Sequence, residues 1–129
     1  MKKIYLAGPL FSQYEIRERL DQAHYLREQG FEVFNPYEIN GQGKTKLEIF
    51  EADIEAMKWC DFAIINVDNY DSGTMAELGW FYANGKLALG IWSNWKLPVN
   101  NLFVEGMLTT QGNKIFTNIV DLVDYVKTL

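Results

Sequence analysis

The sequence feature that most constrains the fold is an apolar hexapeptide, residues 62–67 (FAIINV), followed at once by a turn rich in carboxylates and glycine. A nearly continuous apolar run of this length is typical of a strand that is covered on both faces, as in a parallel sheet. The segment after the turn predicts a helix that ends near Gly85. Because ligands of open α/β sheets bind beyond the carboxyl ends of the strands, this arrangement predicts a functional site.

The rest of the chain repeats the alternation of strand and helix. Strands are predicted at residues 4–7, 31–34, 62–67, 87–91 and 114–116, and helices at residues 14–29, 47–59, 74–82, 100–109 and 118–127. Ser12 is the expected N-cap of the first helix and Gly30 its C′ glycine, and residues 37–46 are expected to form a loop. This pattern predicts one doubly wound, flavodoxin-like α/β domain over residues 1–129, with a five-stranded parallel sheet and right-handed crossovers. Sequence does not reveal the strand order, and 2-1-3-4-5 is adopted as the usual order for such domains.

Composition excludes several classes of function. The net charge is -5, with 17 acidic against 12 basic residues and no basic cluster, so a nucleic-acid partner is not expected. The single cysteine, Cys60, excludes an internal disulfide and suits a reducing compartment. No signal-peptide region or membrane-spanning apolar run is present, and a cytoplasmic location is expected. No metal-ligand spacing, P-loop or dinucleotide motif appears, so neither a metal nor a cofactor is expected.

Three carboxylates follow the third predicted strand: Asp68, Asp71 and Glu77. Asp68 and Asp71 each fit a turn, because aspartate is common in turns. Thr74 and Glu77 have the spacing of a capping box, in which a hydroxyl caps the helix and a glutamate three residues later completes the cap. Glu77 would there be kept ionised by the helix macrodipole, which is also what a carboxylate nucleophile requires. Spacing alone does not choose between a structural and a catalytic role.

Two further candidates lie on neighbouring predicted elements. Asp53 shares the apolar side of its helix with Ile49 and Met57, where an unpaired charge is costly to bury. Tyr5 lies in the first strand, where it fits either the core or a hydrogen bond to a carboxylate above the adjacent strand. Both residues would reach the site only if the predicted sheet brings their elements together.

The loops add polar and aromatic candidates. Asn101 opens a predicted helix and fits an N-cap. Phe11 and Trp95 lie in loops predicted to border the cleft, where stacking on a flat ligand and ordinary packing fit equally well. Paired carboxylates beside a planar-ligand site suggest glycosyl chemistry, in which one carboxylate is the nucleophile and another group manages the leaving-group proton.

Three segments resemble the nucleoside 2-deoxyribosyltransferase family: residues 4–11 (IYLAGPLF), residues 71–79 (DSGTMAELG) with the trailing ANGK, and residues 101–106 (NLFVEG). Their order and spacing cover nearly the whole chain. The resemblance implies a flavodoxin-like enzyme of nucleoside salvage that moves a 2-deoxyribosyl group from one nucleobase to another. Its partners would be a deoxynucleoside and a free nucleobase, and no metal or cofactor would be required.

The resemblance also implies roles for individual residues. Glu77 would attack the anomeric carbon and form a covalent deoxyribosyl intermediate, and two successive displacements would give net retention. Tyr5 would hydrogen-bond and orient Glu77. Asp71 would bind sugar hydroxyls, and Asp53 would contact the base and assist proton transfer to it.

Of the remaining implied contacts, that of Asn101 involves a second subunit. Asn101 would bind a sugar hydroxyl across a subunit interface, and Phe11 would pack against the base. Gly8 and Phe103, which lie within the matching segments, are expected to border the substrate. A homo-oligomer with sites completed across the interface is therefore expected. Four aromatic residues that read as exposed support this expectation: Trp80, Phe81, Trp92 and Trp95.

Two other functions compete with transfer. A hydrolase with the same nucleophile could act on a deoxynucleoside 5′-monophosphate, but the first loop, residues 8–15, contains neither Arg nor Lys to grip a phosphate. A non-catalytic nucleotide-binding module would use the acidic residues only for turns and caps. Base preference cannot be read from the sequence.

Overall fold

Four parallel strands form the sheet of this protein, seen in a computed structural model that describes residues 2–39, 42–93, 100–110 and 113–129. The strands are β1 (Lys3–Ala7), β2 (Glu32–Phe34), β3 (Phe62–Asn66) and β4 (Leu87–Ile91). They are ordered β2-β1-β3-β4. The helices are α1 (Gln13–Glu28), α2 (Lys46–Trp59), α3 (Ser72–Ala83), α4 (Leu102–Thr109) and α5 (Ile119–Val126). The doubly wound α/β prediction is confirmed.

The predicted fifth strand is wrong for the described residues. Only Phe116 continues the sheet, as a single parallel bridge to Ile91. Its N–H donates to the Gly90 carbonyl at 2.8 Å, and its carbonyl accepts from the Trp92 N–H at 2.8 Å. The pairing of strands stops there because Asn118 already caps α5, and its side chain accepts a hydrogen bond from the Asp121 N–H. The bridge nevertheless occupies the place that a fifth strand would take beside β4.

Capping chemistry fixes the ends of the helices that lead to the site. Ser12 and Glu15 form a capping box at the start of α1, as the predicted N-cap at Ser12 requires. Gly30 follows the end of α1 with φ of 94°, which confirms the predicted C′ glycine. The loop predicted over residues 37–46 is instead partly helical, because a 3-10 helix spans Pro36–Ile39 and Thr45 already caps α2.

The alternation of side chains along the strands divides the core into two layers. Ile4 and Leu6 point towards the layer that contains α1 and α5, whereas Tyr5 and Ala7 point towards the layer of α2, α3 and α4. All five residues of β3 are buried, as its apolar sequence predicts. The hydroxyl of Tyr5 is thereby directed to the side of the sheet on which the candidate carboxylates lie.

The aromatic residues that read as exposed are mostly part of this core. Phe81 is fully buried, and Trp80 and Trp92 pack against the α2–α4 layer. Trp95 lies outside the described residues. In the described part of the chain, no helix is both long enough and apolar enough to cross a membrane.

Two glycines provide a test of the packing between β4 and α4. A Cβ at Gly90 would lie 2.8 Å from Leu108 Cδ1 and 3.3 Å from Ile115 Cγ1, whereas a Cβ at Gly79 in α3 would meet nothing within 4 Å. We expect Gly90→Ala to lower the free energy of unfolding by about 1–3 kcal/mol through overpacking. Gly79→Ala should raise it by up to about 1 kcal/mol, because alanine is the better helix former. Urea denaturation measures both, and equal effects would contradict the packing described here.

Candidate active site

An open cleft of about 610 Å³ lies between α2 and α3 at the carboxyl end of β1. Its position matches the place where open α/β sheets bind ligands. Two carboxylates face an otherwise largely apolar lining, and the lining given by the described residues contains no Lys or Arg. The residues that line it are Gly8, Leu10, Pro36, Ile49, Phe50, Asp53, Ile54, Met57, Gly73, Ala76, Glu77 and Trp80.

Tyr5 connects the core to the cleft through its hydroxyl, which donates a hydrogen bond to Oε2 of Glu77. The ring is fully buried and is stacked on Phe34, with the ring centres 5.6 Å apart, and it contacts Phe81 at 5.7 Å. Burial and the neighbouring Glu77 charge raise the pKa of Tyr5 far above its ordinary value. Tyr5 therefore keeps its proton and acts only as a donor to Glu77.

Glu77 does not occupy the position in the helix that its spacing predicts. The helix α3 begins at Ser72 and is capped by Asp71, whose side chain accepts from the Thr74 N–H at 3.0 Å and from the Thr74 hydroxyl at 2.7 Å. The capping box of Thr74 and Glu77 is therefore wrong, because the helix starts three residues earlier than that box requires. Glu77 lies in the second turn, beyond the first turn in which the macrodipole acts most strongly.

The environment of Glu77 disfavours its ionised form. Burial raises the pKa of Glu77 to about 7, the Tyr5 hydrogen bond works against this increase, and the charges of Asp53 and Asp71 add to it. The expectation that the helix keeps this carboxylate ionised is thus wrong. A carboxyl group that titrates near neutrality inside a cleft is a candidate for chemistry.

Asp53 approaches the same cleft from α2. It is half-buried, and its Oδ1 is buried without a hydrogen-bond partner among the described residues. Burial raises the pKa of Asp53 to about 6. Ile49 and Met57 line the cleft beside it, as the helical spacing predicts. A neutral carboxylic acid at this place could donate a hydrogen bond into the cleft.

Asp71 follows a strained turn. Asn69 and Tyr70 both have positive φ, 58° and 48°, although neither is glycine. Such conformations cost energy and persist where the surrounding structure holds them. Asp68 belongs to a different cluster, because its side chain accepts from the Ser93 N–H at 2.9 Å and contacts the Ser93 hydroxyl. Asp68 thus anchors the segment after β4, whereas the charge of Asp71 acts on Glu77 and contributes to its raised pKa.

Gly8 lines the cleft at a point where no side chain fits. A Cβ there would lie 2.6 Å from Arg19 Nε and 3.0 Å from Asn66 Cβ. The Arg19 side chain is buried, and its guanidinium is held by Gln22 and Glu18, each at 2.6 Å. The sequence analysis missed this support. Helical spacing could have indicated that Arg19 is buried. It lies four residues before Ala23 and seven before Leu26, on the buried face of α1.

Three other predicted residues lie outside the lining of this cleft. Phe11 and Phe103 are exposed by 86% and 77%, and Asn101 is also exposed. Asn101 caps α4, where its side-chain oxygen accepts from the N–H groups of Phe103 and Val104. The cleft of one chain is therefore lined by Glu77, Asp53 and Gly8, and Tyr5 contacts it through Glu77. Asp71 is not among the lining residues, although its charge acts on Glu77.

The cleft contains two aromatic residues that the sequence analysis did not assign to the substrate site. Phe50 lies one helical turn before Asp53 and lines the cleft while remaining 59% exposed, and Trp80 lines it from α3. Helical spacing from a candidate carboxylate could have indicated both residues, because Phe50 lies three residues before Asp53 and Trp80 lies three residues after Glu77. Among the described residues, no group of three or more His, Cys, Asp or Glu side chains could hold a metal ion.

The fold and the cleft define an α/β domain with carboxyl groups from two helices at the carboxyl end of a parallel sheet. The sequence profile described as nucleoside 2-deoxyribosyltransferase matches residues 4–117. The chain belongs to this family.

Individual proteins are similar to this chain in sequence or in structure. An uncharacterised protein of Ureaplasma parvum is 36% identical, over 96% of this chain and 93% of that protein. The structure is similar to that of a 2-deoxyribosyltransferase from Bacillus psychrosaccharolyticus, with a TM-score of 0.78 and 32% identity, over 95% of this chain and 91% of the other. A Clostridium botulinum CMP N-glycosidase shares the fold, with a TM-score of 0.68 and 20% identity over 98% of each chain.

The buried carboxyl of Glu77 predicts an unusual pH dependence of stability. Its pKa is higher in the folded than in the unfolded chain, so its contribution is fully present below about pH 4.5 and is lost as the pH rises through about 7. We expect Glu77→Gln to raise the free energy of unfolding at pH 8 by on the order of 2 kcal/mol, with a gain that shrinks towards pH 4. Urea denaturation across this pH range measures the gain.

Glu48→Gln is the matched control, because Glu48 belongs to an observed capping box and its pKa is lowered by the Thr45 hydrogen bonds. The Glu48→Gln variant should lose stability at pH 8 instead of gaining it. A loss of stability at pH 8 in both variants would contradict the raised pKa of Glu77.

Proposed function

We propose that the protein transfers a 2-deoxyribosyl group between nucleobases through a covalent intermediate on Glu77. The observation that carries the proposal is a buried carboxyl that accepts a hydrogen bond from a buried tyrosine and faces, across an apolar cleft, a second carboxyl with a raised pKa. Membership of the family and the similarity to the Bacillus 2-deoxyribosyltransferase support it. Nucleoside salvage is the physiological role that this reaction would serve.

The reaction proceeds in two balanced displacements. The Tyr5 hydrogen bond occupies Oε2 of Glu77, and Oε1 attacks the anomeric carbon. The glycosidic C–N bond breaks, its electron pair passes to the base nitrogen, and Asp53 supplies a proton to the departing base. A second base then attacks the anomeric carbon and displaces Glu77, while a proton returns to Asp53. Two inversions give net retention.

The two pKa values determine how the proton is shared. Burial raises the pKa of both groups, to about 7 for Glu77 and to about 6 for Asp53, so the pair holds a proton near neutrality. The reactive form has Glu77 ionised and Asp53 protonated. A nucleobase bound over Asp53 excludes water and offers a hydrogen-bond acceptor, and both effects raise the pKa of Asp53. Substrate binding thereby increases the reactive form.

The apolar walls of the cleft suit a flat nucleobase. Phe50 and Trp80 offer aromatic surface within one helical turn of Asp53 and Glu77 respectively. Asp71 binds a sugar hydroxyl in this proposal, and Gly8 borders the substrate from the end of β1. The absence of a cation from the described lining favours a free 5′-hydroxyl over a phosphate, and thus transfer between nucleosides over hydrolysis of a monophosphate.

A second subunit completes the site in this proposal. Phe11, Leu102 and Phe103 are at least 77% exposed in a single chain, which is costly for such large apolar side chains in water. In a homo-oligomer, Phe103 and Asn101 of one copy reach the cleft of the next, and Phe11 packs against the base. Sedimentation of the active protein as a monomer would contradict this arrangement.

The transfer reaction is tested by incubating the protein with a 2′-deoxynucleoside in the presence and absence of a second free base. We expect a new deoxynucleoside only in the presence of the second base, and a quenched protein that carries one deoxyribosyl group on Glu77 by peptide mass spectrometry. Glu77→Gln should abolish both products while the protein remains folded, because an amide is not a nucleophile here. Free deoxyribose without any exchanged nucleoside would instead establish a hydrolase.

The pH profile separates the roles of the two carboxyl groups. For the wild type we expect a bell-shaped profile of kcat/KM, with limbs near pH 6 and 7, because one proton must be present on the pair. Asp53→Asn should lower the maximum and remove the alkaline limb, since asparagine does not titrate. The remaining limb should lie below pH 7, because the Asp53 charge that raises the Glu77 pKa is lost. A bell that persists in Asp53→Asn would exclude Asp53 as the acid.

A further inference from the structure

The turn before Asp71 and the start of α4 are joined by two hydrogen bonds between Tyr70 and Asn100. The Asn100 N–H donates to the Tyr70 hydroxyl at 2.9 Å, and that hydroxyl donates to the Asn100 side-chain oxygen at 3.3 Å. The two residues are 30 positions apart in the sequence. Each directly precedes a residue proposed above to bind a sugar hydroxyl, Asp71 in one case and Asn101 in the other.

The backbone at Tyr70 is in an energetically unfavourable conformation, which the connection to Asn100 helps to maintain. Tyr70 and the preceding Asn69 have φ of 48° and 58°, in the left-handed region that bulky side chains rarely adopt. The Tyr70 N–H donates to the Val67 carbonyl at 3.1 Å, which closes the turn. The side chain is still 36% exposed, so burial alone does not explain the strained conformation. The hydroxyl contacts with Asn100 are the specific interactions that this conformation permits.

The two neighbouring side chains depend on the backbone that Tyr70 fixes. Asp71 has Oδ2 occupied by Thr74, so the direction of Oδ1 follows from the path of the turn. Asn101 has its side-chain oxygen occupied by the N–H groups of Phe103 and Val104, which leaves its amide nitrogen as the donor for a ligand. An acceptor from Asp71 and a donor from Asn101 match the two hydrogen-bonding modes of a sugar hydroxyl.

We propose that Tyr70 is a positioning residue for sugar recognition, which fixes Asp71 through the strained turn and Asn101 through Asn100. The inference rests on the proposed function, in which these two residues bind sugar hydroxyls. In the proposed oligomer Asn101 serves the cleft of the neighbouring copy, so one tyrosine hydroxyl supports the sugar-binding residues of two clefts. The resemblance to the family assigns no role to Tyr70.

Comparison of three substrates tests the proposal. Tyr70→Phe removes only the hydroxyl, and we expect kcat/KM for a 2′-deoxynucleoside to fall about tenfold, as for the loss of a well-placed hydrogen bond. The 2′,3′-dideoxy and 2′,5′-dideoxy analogues each lack one sugar hydroxyl, and for the analogue without the hydroxyl that Asp71 and Asn101 bind the fall should be less than about twofold. Tyr82→Phe is the matched control, because Tyr82 is an exposed tyrosine of α3, and it should change none of these values. An equal fall on the deoxynucleoside and both analogues, or no fall on the deoxynucleoside, would overturn the proposal.

A measurement independent of turnover completes the test. Hydrogen exchange at the backbone amides of Phe103 and Val104 reports on the Asn101 cap directly. We expect these amides to exchange faster in Tyr70→Phe than in the wild type and to be unchanged in Tyr82→Phe. Unchanged exchange in Tyr70→Phe would overturn the proposal. A wild type without transfer activity would instead refute the proposed function, so the two failures are distinguishable.

Discussion

The hydrogen bond from Tyr5 to Glu77 is the interaction on which the architecture of the site depends. Tyr5 belongs to a central strand, its ring is clamped between Phe34 and Phe81, and its direction follows from the alternation of side chains along β1. The hydroxyl is consequently fixed by the core and not by a loop. Glu77, on the second turn of α3, meets a donor whose position the sheet determines, and this is the pre-organisation that a reacting group requires.

Several energetically unfavourable features lie near this hydrogen bond, and stabilising interactions elsewhere in the fold offset them. They include the Glu77 carboxyl, an oxygen of Asp53 that is buried without a hydrogen-bond partner among the described residues, and two left-handed residues before Asp71. Stabilising features lie elsewhere, as in the capping boxes of α1 and α2. Lys86 also donates to three carbonyls at the end of α2, at 2.7–2.8 Å, which favours the negative end of that helix. Function and stability are thus supported by separate parts of the same elements.

How far the sequence predicts the molecule depends on whether a signal is local. The apolar run of β3, the N-cap at Ser12 and the glycine after α1 are local signals, and each predicts its element correctly. The start of α3 is not predicted correctly, because Asp71 and Thr74 are both competent N-caps and the strained turn before Asp71 selects between them. The hydrogen bonds around Arg19 were also missed. Its neighbour Glu18 accepts from Asn66 and Ser93, and contacts between residues so far apart in the chain leave no regular spacing in the sequence.

A tyrosine is better suited than a basic residue to support Glu77. A lysine or arginine in its place would form an ion pair, hold the pKa of Glu77 low and weaken the carboxylate as a nucleophile. The Tyr5 hydroxyl is neutral, and burial together with the Glu77 charge raises its own pKa, so it donates to Oε2 without taking up the negative charge. The direction of the hydrogen bond is therefore constant across the pH range in which Glu77 titrates. In the proposed reaction, Glu77 would therefore attack from a fixed orientation whatever the protonation state of Asp53, because its orientation is set by one residue of β1.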